Sequence, residues 1–534
     1  MKVVKTVLLL LVGAGIGRFA LAADEDFDLA LAALAAAQSY QEKEAAATSL
    51  SSTGHPRAEP ILSALLEGQV YVGQDSKVVI ATPVDDGFAI VDAVTAEALG
   101  TVGRRDVSRV SVNNQLRASL RALLATLKLR HDDPRERAAA VLAVGESDDP
   151  AMLATLAELK TTEKNGRVLG AIDTAIGMLN LDSTDPSLRL AAIATVREDT
   201  GSHVRTKLTG IAENESFDED TRHAARAALT HIANKVQVYD LVQTAFFGLS
   251  LGSILVLAAI GLSVTFGIMG VINMAHGELM MLGAYTTYVV QQVFPNAIGA
   301  SLFIAMPAAF VISGLVGIGI ERGIVRFLYG RPLETLLATF GVSLVLQQGV
   351  RTVFSPLNRS VTTPPWMSGS WEITSGLAIT YNRLYILVFS LLVFGALLLV
   401  LRKTRLGLEM RAVTQNRAMA KAMGIRTDRV DALTFGLGSG IAGLAGVALS
   451  QLTNVGPNLG QSYIVDSFMV VVFGGVGSLW GTLVSGLSLG VASKLIEPAA
   501  GAVMAKIFVL IFLIIFIQKR PRGLFPQKGR AAEG

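Results

Sequence analysis

Hydrophobic positions along this chain change their rhythm near residue 236. Before it, short Ala-rich helical patterns alternate with polar residues. After Tyr239 the apolar positions fuse into long runs, at roughly 241–268, 278–294, 298–320, 333–354, 384–401, 430–452, 467–496 and 502–517. A hydrocarbon core of ~30 Å needs about 20 helical residues to cross it, so most of these runs predict membrane-spanning helices. The run at 278–294 is marginal, and 467–496 is too long for one plain helix. Its Gly-rich text, "FGGVGSLWGTLVSGLSLG", predicts two short or broken segments facing the bundle interior, because non-helical backbone at membrane depth survives only where it is buried or lines a cavity. Eight or nine spans follow from these runs.

The first residues, "MKVVKTVLLLLVGAGIGRFALAADED", set Lys2 and Lys5 before an apolar run and end on small residues at Ala20–Ala22. This is the layout of a secretory signal peptide over 1–22; Arg18, late in the run, leaves an uncleaved anchor as the other reading. "GAGIG" lies inside the leader with no strand before it, so it is not read as a nucleotide loop. Residues 23–235 have a soluble composition. Within them, 68–111 carries β-branched runs broken by Gly, Pro and Asp, which predicts a small strand-containing insert. A loose echo then appears: "DPRERAAAVLAV" from Asp133, "DPSLRLAAIATV" from Asp185 and "DEDTRHAARAAL" from Asp218. Each sets an acidic N-cap before an arginine (Arg137, Arg189, Arg222) and an Ala-rich face. The irregular period predicts a short, degenerate HEAT-like array. Its arginines belong either to a protein-contact surface or to the solvated side of a plain helical domain.

Charge adds orientation. The net charge is only +3, which gives no global field for nucleic acid, and cysteine is absent, which excludes disulfides and thiolate sites. Locally, 402–429 holds Arg402, Lys403, Arg405, Arg411, Arg417, Lys421, Arg426 and Arg429 against Glu409 and Asp428. The positive-inside rule makes that loop cytoplasmic. The same holds for the turn with Arg322, Arg326 and Arg331 and for the tail with Lys519, Arg520 and Arg522. The connections at 295–299, 355–383 and 453–466 carry few basic residues, as outer loops should. Counting spans back from 402 places 24–235 outside, in agreement with the leader. Counting forward keeps the tail inside only if 467–496 is two segments.

Candidate chemistry concentrates in "VINMAHGELMMLGAY", Val271–Tyr285, where Asn273, His276 and Glu278 are flanked by Gly270, Gly277 and Gly283. An ionisable group at mid-bilayer costs about 2.5–3.5 kcal/mol. Two readings account for the cluster: a glycine-interrupted helix break lining a path near its inner mouth, or a cytoplasmic-side loop with both groups in water. A lone His with one Glu lacks a zinc ligand set, and no "HExxH" or "GxSxG" stands in the span region, so neither a metal nor a catalytic residue is indicated. Gln451, Asn454, Ser467 and Thr482 offer further donors and acceptors for a path, and Gly474, Gly475 and Gly477 further breaks. In the basic loop, Ala418, Ala420 and Ala422 alternate with Met419, Lys421 and Met423 before Gly424. The pattern suits a short helix with a small-residue face and a Gly C-cap, open to close approach by a partner; a solvated loop held by anionic lipid is the alternative.

"GLSVTFGIMGVINMAHGELMMLGAY", "RLGLEMRAVTQNRAMAKAMGIRTDRVDALTF", "GGVGSLWGTLVSGLSLG" and "KRPRGLFP" occur in order between about Val238 and Pro526. Together they resemble the permease subunits of branched-chain amino acid type ABC importers, and the long N-terminal extension resembles the urea-importing branch. The resemblance implies a mostly α fold. A polytopic permease domain over 236–534 would follow an extracytoplasmic, mainly helical domain, in a multi-pass protein of the bacterial inner membrane. It implies a second homologous permease, two cytoplasmic ATPase subunits and a periplasmic solute-binding protein as partners. ATP and Mg would sit in the ATPase subunits, with no cofactor in this chain, which has no "GxxxxGK[ST]". The family's ATPase-coupling segment maps to Ala418, Ala420, Ala422 and Gly424, with Arg411 in the same loop; Ala418 stands where the common pattern has Glu. The implied function is import of a small neutral solute, urea foremost. Branched-chain amino acids or short amides are the alternative, as is a passive channel.

Overall fold

The computed structural model describes residues 26–525, apart from residues 74, 76, 85, 86, 104, 148 and 375. The expected signal peptide at 1–22 lies outside the described residues. The chain divides after Lys235 into two compact units.

The first unit is helical with one sheet. Strands β1 (Val70–Gly73), β2 (Val78–Val84), β3 (Gly87–Asp92), β4 (Ala98–Val102) and β5 (Val107–Arg109) pair antiparallel in the order β4-β3-β2-β1-β5. Val70 and Val78 point into a core shared with helices Tyr40–Ser52, Ala58–Glu67 and Asn114–Lys128. Helices Pro134–Gly145 and Pro186–Val196 each start on an Asp N-cap with proline in the first turn, where proline's missing N–H is not needed. Two of the three echoed arginines, Arg137 and Arg189, are internal staples. Arg137 forks onto Glu163 at 2.8 and 3.2 Å and donates Nη1 to the carbonyls of His131 and Asp132. Arg189, 7 % exposed, donates to the Ser183 carbonyl and to Asp218 at 2.9 Å. A side chain one turn past the cap leans back over the preceding turn. There it ties its helix to the loops before and after, so Arg137 and Arg189 form neither a solvated row nor a contact surface.

In the second unit the helices are α1 (Glu219–Met269, whose first residues belong to the first unit), α2 (His276–Val293), α3 (Ile298–Gly323), α4 (Pro332–Phe354), α5 (Tyr381–Lys403), α6 (Arg405–Gln415), α7 (Arg417–Ala422), α8 (Thr427–Ser450), α9 (Leu459–Gly474), α10 (Leu479–Ala500) and α11 (Ala502–Lys519). Seven are long and apolar enough to cross a membrane: α1, α3, α4, α5, α8, α10 and α11. The long run at 467–496 divides at Gly475, φ +100°, as expected, but its first part begins earlier, at Leu459. The expected outer loop at 453–466 therefore shrinks, and α9 takes up its second half.

The two ends of the bundle are distinct. Leu524 N–H donates to the Phe473 carbonyl and Phe525 N–H to that of Gly474. Gly267 of α1 abuts Gly477. Leu479 packs beside Met410, Val413 and Ala420. The end of α1, the α6–α7 segment, the α9–α10 turn and the tail thus share one end, which carries the arginine and lysine clusters. At the opposite end Arg359 and Val455 exchange backbone hydrogen bonds, Arg351 donates to Asn458, and Trp366 donates to the Gly299 carbonyl. Strands β6 (Ser370–Thr374) and β7 (Leu377–Thr380) form a hairpin there.

α8 is the axis of this bundle: 83 % of its apolar window is buried, against 17 % for α11. Small residues make that possible, because glycine lets helix backbones touch. A methyl group on Gly446 would collide with the Met280 carbonyl, one on Gly443 would meet Ala309 O at 2.6 Å, and one on Gly317 would strike Ser439.

Two outcomes are expected. Gly446→Val should destabilise the assembled protein by at least the ~1–3 kcal/mol typical of overpacking, while Gly341→Val on α4, with open space around it, should not; thermal unfolding in detergent compares them. In the first unit, Arg137 holds Glu163 down to about 2, and Asp218 is held down to about 2 by Thr221 first and Arg189 after it. A depressed folded pKa stabilises above the ordinary carboxylate range and loses that contribution as pH falls. Stability of the first unit should therefore decline between about pH 4.5 and about pH 2, and Arg137→Ala should reduce the Glu163 share of that decline in pH-resolved unfolding curves, leaving the part due to the Asn165 and Lys164 N–H groups.

Candidate functional site

The stretch after α1 turns back into the bundle. α1 stops at Met269, Gly270 takes φ +67°, and residues 271–275 are not helical before α2 starts at His276. Nε2 of His276 lies 2.9 Å from the Ala258 carbonyl. Ala258 is eleven residues short of the end of α1, which is about 16 Å along a helix rising 1.5 Å per residue. Glu278 meets Ser343, eleven residues past the start of α4 at Pro332. Both helices have those termini at the basic end, so the motif sits near the middle of a ~30 Å core. Asn273 and His276 are fully buried and Glu278 is 1 % exposed. Burial of all three overturns the reading of a loop with both ionisable groups in water.

Each polar group there has a defined task. Asn273 Oδ1 accepts from the Ala275 N–H at 3.0 Å, an Asx turn that launches α2. Because a carbonyl only accepts, Nε2 of His276 is the protonated nitrogen toward Ala258, and Nδ1 of a neutral ring is left as an acceptor. Gly261 makes room for that ring; a methyl group there would sit 2.8 Å from His276 Cε1. Glu278 Oε1 accepts from Ser343 Oγ at 3.0 Å and Gln347 Nε2 at 2.7 Å. The Met274 N–H donates to Thr339 Oγ1 at 3.1 Å. Asn273 Nδ2, His276 Nδ1 and Glu278 Oε2 have no hydrogen-bond partner among the described residues.

α4 supplies what the sequence reading missed. Its buried positions are Thr335, Thr339, Ser343, Gln347 and Val350, while Leu333, Leu337, Val345 and Val353 face outward. A polar stripe repeating every fourth residue inside an apolar run is the signal that could have found it, since i and i+4 share a helix face. Two turns beyond Glu278 and Gln347, the polar layer is closed by rings. Tyr285 and Phe354 lie 4.8 Å apart, Tyr288 sits edge-on to Phe354, and Arg359 lies over Tyr288.

α9 completes the layer. A methyl group on Gly277 would come within 2.5 Å of the Gly460 carbonyl, and one on Gly460 would collide with the carbonyl of Gly277. The first turns of α2 and α9 thus meet at mid-depth, α2 running away from the basic end and α9 toward it. Paired helices that start inside the bundle aim their positive dipole ends at one place.

Other expected site residues lie elsewhere. Gln451 is buried at the end of α8 with Oε1 lacking a described partner. Asn454 is exposed in the α8–α9 connection. Ser467 and Thr482 bond to their own helices, at Tyr463 O and Ser478 O, so neither belongs to the layer. Gly270, Gly475 and Gly477 are true breaks with positive φ. Gly277 and Gly474 lie inside helices and serve close packing instead, Gly474 against Gly481. At the basic end Gly424, φ +89°, closes α7, and Ala418 and Ala422 are exposed. Ala420 is buried among Val413, Val430 and Ile441, so the small-residue face is divided between the core and the surface. Met419, Met423 and Leu408 form the exposed apolar part. Arg411 donates to the Leu401 carbonyl and fastens α6 to α5. The described residues hold no cluster of metal-ligating side chains.

Residues 244–517 match a family model described as the permease component of branched-chain amino acid transport systems. The high-affinity branched-chain amino acid transport system permease protein LivH of Salmonella typhimurium is 32 % identical over 298 residues, 54 % of this chain and 96 % of that protein. BraD of Pseudomonas aeruginosa, of the same description, is 30 % identical over the same shares. The ribose import permease protein RbsC of Escherichia coli is 27 % identical over 227 residues, 41 % of this chain and 67 % of its own length. No solved structure matches the chain.

Replacing Asn273 by Leu removes the Asx turn before α2 and strands the buried Ala275 N–H at about 1–3 kcal/mol. Uptake per assembled protein should fall about tenfold, and Asn273→Asp, which keeps the accepting oxygen, should recover most of it. Glu278→Gln retains an acceptor for Ser343 and Gln347 and should be mild. Radiolabelled uptake into vesicles, normalised to protein abundance, checks all three; a silent Asn273→Leu beside an inactive Glu278→Gln would reverse these roles.

Proposed function

The chain belongs to the family of permease components of branched-chain amino acid transport systems, and from that premise we propose that it forms one membrane half of an ATP-driven importer of branched-chain amino acids. One observation carries the choice of solute. The N-terminal turns of α2 and α9 meet at mid-depth beside a polar layer of Asn273, His276, Glu278, Ser343 and Gln347. Helix N-termini favour a carboxylate without a buried countercharge, and the ring layer of Tyr285 and Phe354 offers an apolar side chain a neighbour of matching character.

In this reading the basic end faces the cytoplasm, and the first unit lies outside. Separate ATPase subunits dock on Met419, Met423 and Leu408 amid the basic residues of 402–429. A second homologous permease completes the path, and a solute-binding protein delivers cargo. Transport proceeds by exposing the mid-depth layer alternately to each side.

Import of urea is the second reading, favoured by two observations. The central layer has no Lys or Arg among its described hydrogen-bonding members, which suits a small neutral molecule that needs only donors and acceptors. The first unit also lies outside the stretch matched by the family model. The likeness to the ribose import permease protein RbsC supports keeping a solute other than a branched-chain amino acid open.

The test is reconstitution with a candidate second permease, ATPase and binding protein from the same organism, assayed with labelled leucine and labelled urea. ATP-dependent leucine uptake with stimulated hydrolysis is expected. Stimulation by urea alone replaces the first reading with the second, and uptake indifferent to ATP would make the chain a channel.

A further inference from the structure

α7 has six residues, too few to hold a helix by itself, yet the proposed function asks it to carry motion from an ATPase. Its anchor is its first residue. Arg417 makes a two-pronged contact with Asp431 of α8: Nη1 lies 3.2 Å from Oδ1, and Nη2 bonds Oδ2. The Asp431 side chain is 1 % exposed. The same guanidinium lies 4.5 Å over the ring of Tyr329, in the α3–α4 connection. Tyr329 in turn directs its hydroxyl to Glu321 of α3, 3.4 Å away and 2 % exposed. One guanidinium therefore gathers α7, the bundle axis α8, the end of α3 and the approach to α4, whose Ser343 and Gln347 hold Glu278.

We propose that Arg417 is the positioning residue that couples the ATPase-docking segment to the mid-depth layer, with Asp431 and the Tyr329–Glu321 pair as its receiving side. The physical reason is the cost of separation. Pulling α7 away alone would leave a buried carboxylate without its cation, which is strongly unfavourable. A displaced α7 must therefore carry α8 and the α3–α4 connection with it. Planar forked geometry is what binds carboxylate and ring face together, and lysine offers neither. This inference rests on the importer reading, specifically on 402–429 as the docking segment.

The test uses the full complex of permeases, ATPase and binding protein, and reads solute imported per ATP hydrolysed. Arg417→Ala and Asp431→Asn should keep basal hydrolysis within about twofold while the transport-to-hydrolysis ratio falls about tenfold, inside the ~5–150-fold range of typical coupling energies. Arg417→Lys, which keeps the charge, should fall between them and the unaltered protein. If Arg417→Ala does not assemble, Arg417→Lys alone decides. Uptake and hydrolysis falling in proportion, with the ratio unchanged, would assign Arg417 a merely structural role and overturn the proposal. If the unaltered complex imports neither leucine nor urea, the solute assignment fails separately. Coupling is then read from stimulation of hydrolysis by the binding protein, which Arg417→Ala should abolish, and its persistence overturns the proposal.

Discussion

A polar group at the middle of a bilayer must find its partner inside the protein, because no water there can replace one. The second unit meets most of that demand at one level, leaving Asn273 Nδ2, His276 Nδ1 and Glu278 Oε2 without a partner among the described residues. The chain leaves α1, climbs back without helical hydrogen bonds, and starts α2 in the interior. The devices at that level follow: the Asn273 Asx turn, the Thr339 hydroxyl that receives the Met274 N–H, the Ala258 carbonyl that receives His276, and the Ser343–Gln347 pair on Glu278. α4 is inverted relative to a soluble helix, with its polar stripe inward and its leucines outward.

That arrangement needs close approach, and close approach needs glycine. Gly277 faces Gly460, Gly261 faces Gly438 and the imidazole, and Gly283 faces Gly443. Helices cannot be driven together in lipid by apolar surface alone, since the lipid is equally apolar. Backbone-to-backbone packing along α8 takes over that role. The peripheral helices α5 and α11 contribute little to it and present long apolar faces outward.

At the basic end the demand is different, because surface water is near and the arginines are available. Some of them serve structure: Arg411 fastens α6 to α5, and Arg417 fastens α7 to α8. The first unit uses arginine in the same manner, with Arg137 and Arg189 joining loops across helices. Arginine suits these places because its planar fork holds several oxygens at once.

The apolar runs located the seven described helices long and apolar enough to cross a membrane, because a bilayer reads average hydropathy over about 20 residues. They also predicted eight or nine spans and counted 278–294, whose helix α2 is not among the seven. The clusters of Arg and Lys determined which ends belong together, and β-branched residues broken by Gly and Pro located the sheet. Nothing along the chain showed the depth of Asn273, His276 and Glu278. Counting spans treats 270–275 as a short connection, whereas it turns back and brings His276 and Glu278 against Ala258 of α1 and Ser343 of α4. The division of Ala420 from Ala418 and Ala422 was equally hidden, since six residues of helix have no periodicity long enough to mark a face. Partners such as Ser343, Gln347 and Asp431 lie far away in sequence, and only packing brings them to the groups they satisfy. Hydropathy and charge act through composition, which a sequence displays directly; hydrogen bonds act through distance, which exists only once the helices have packed.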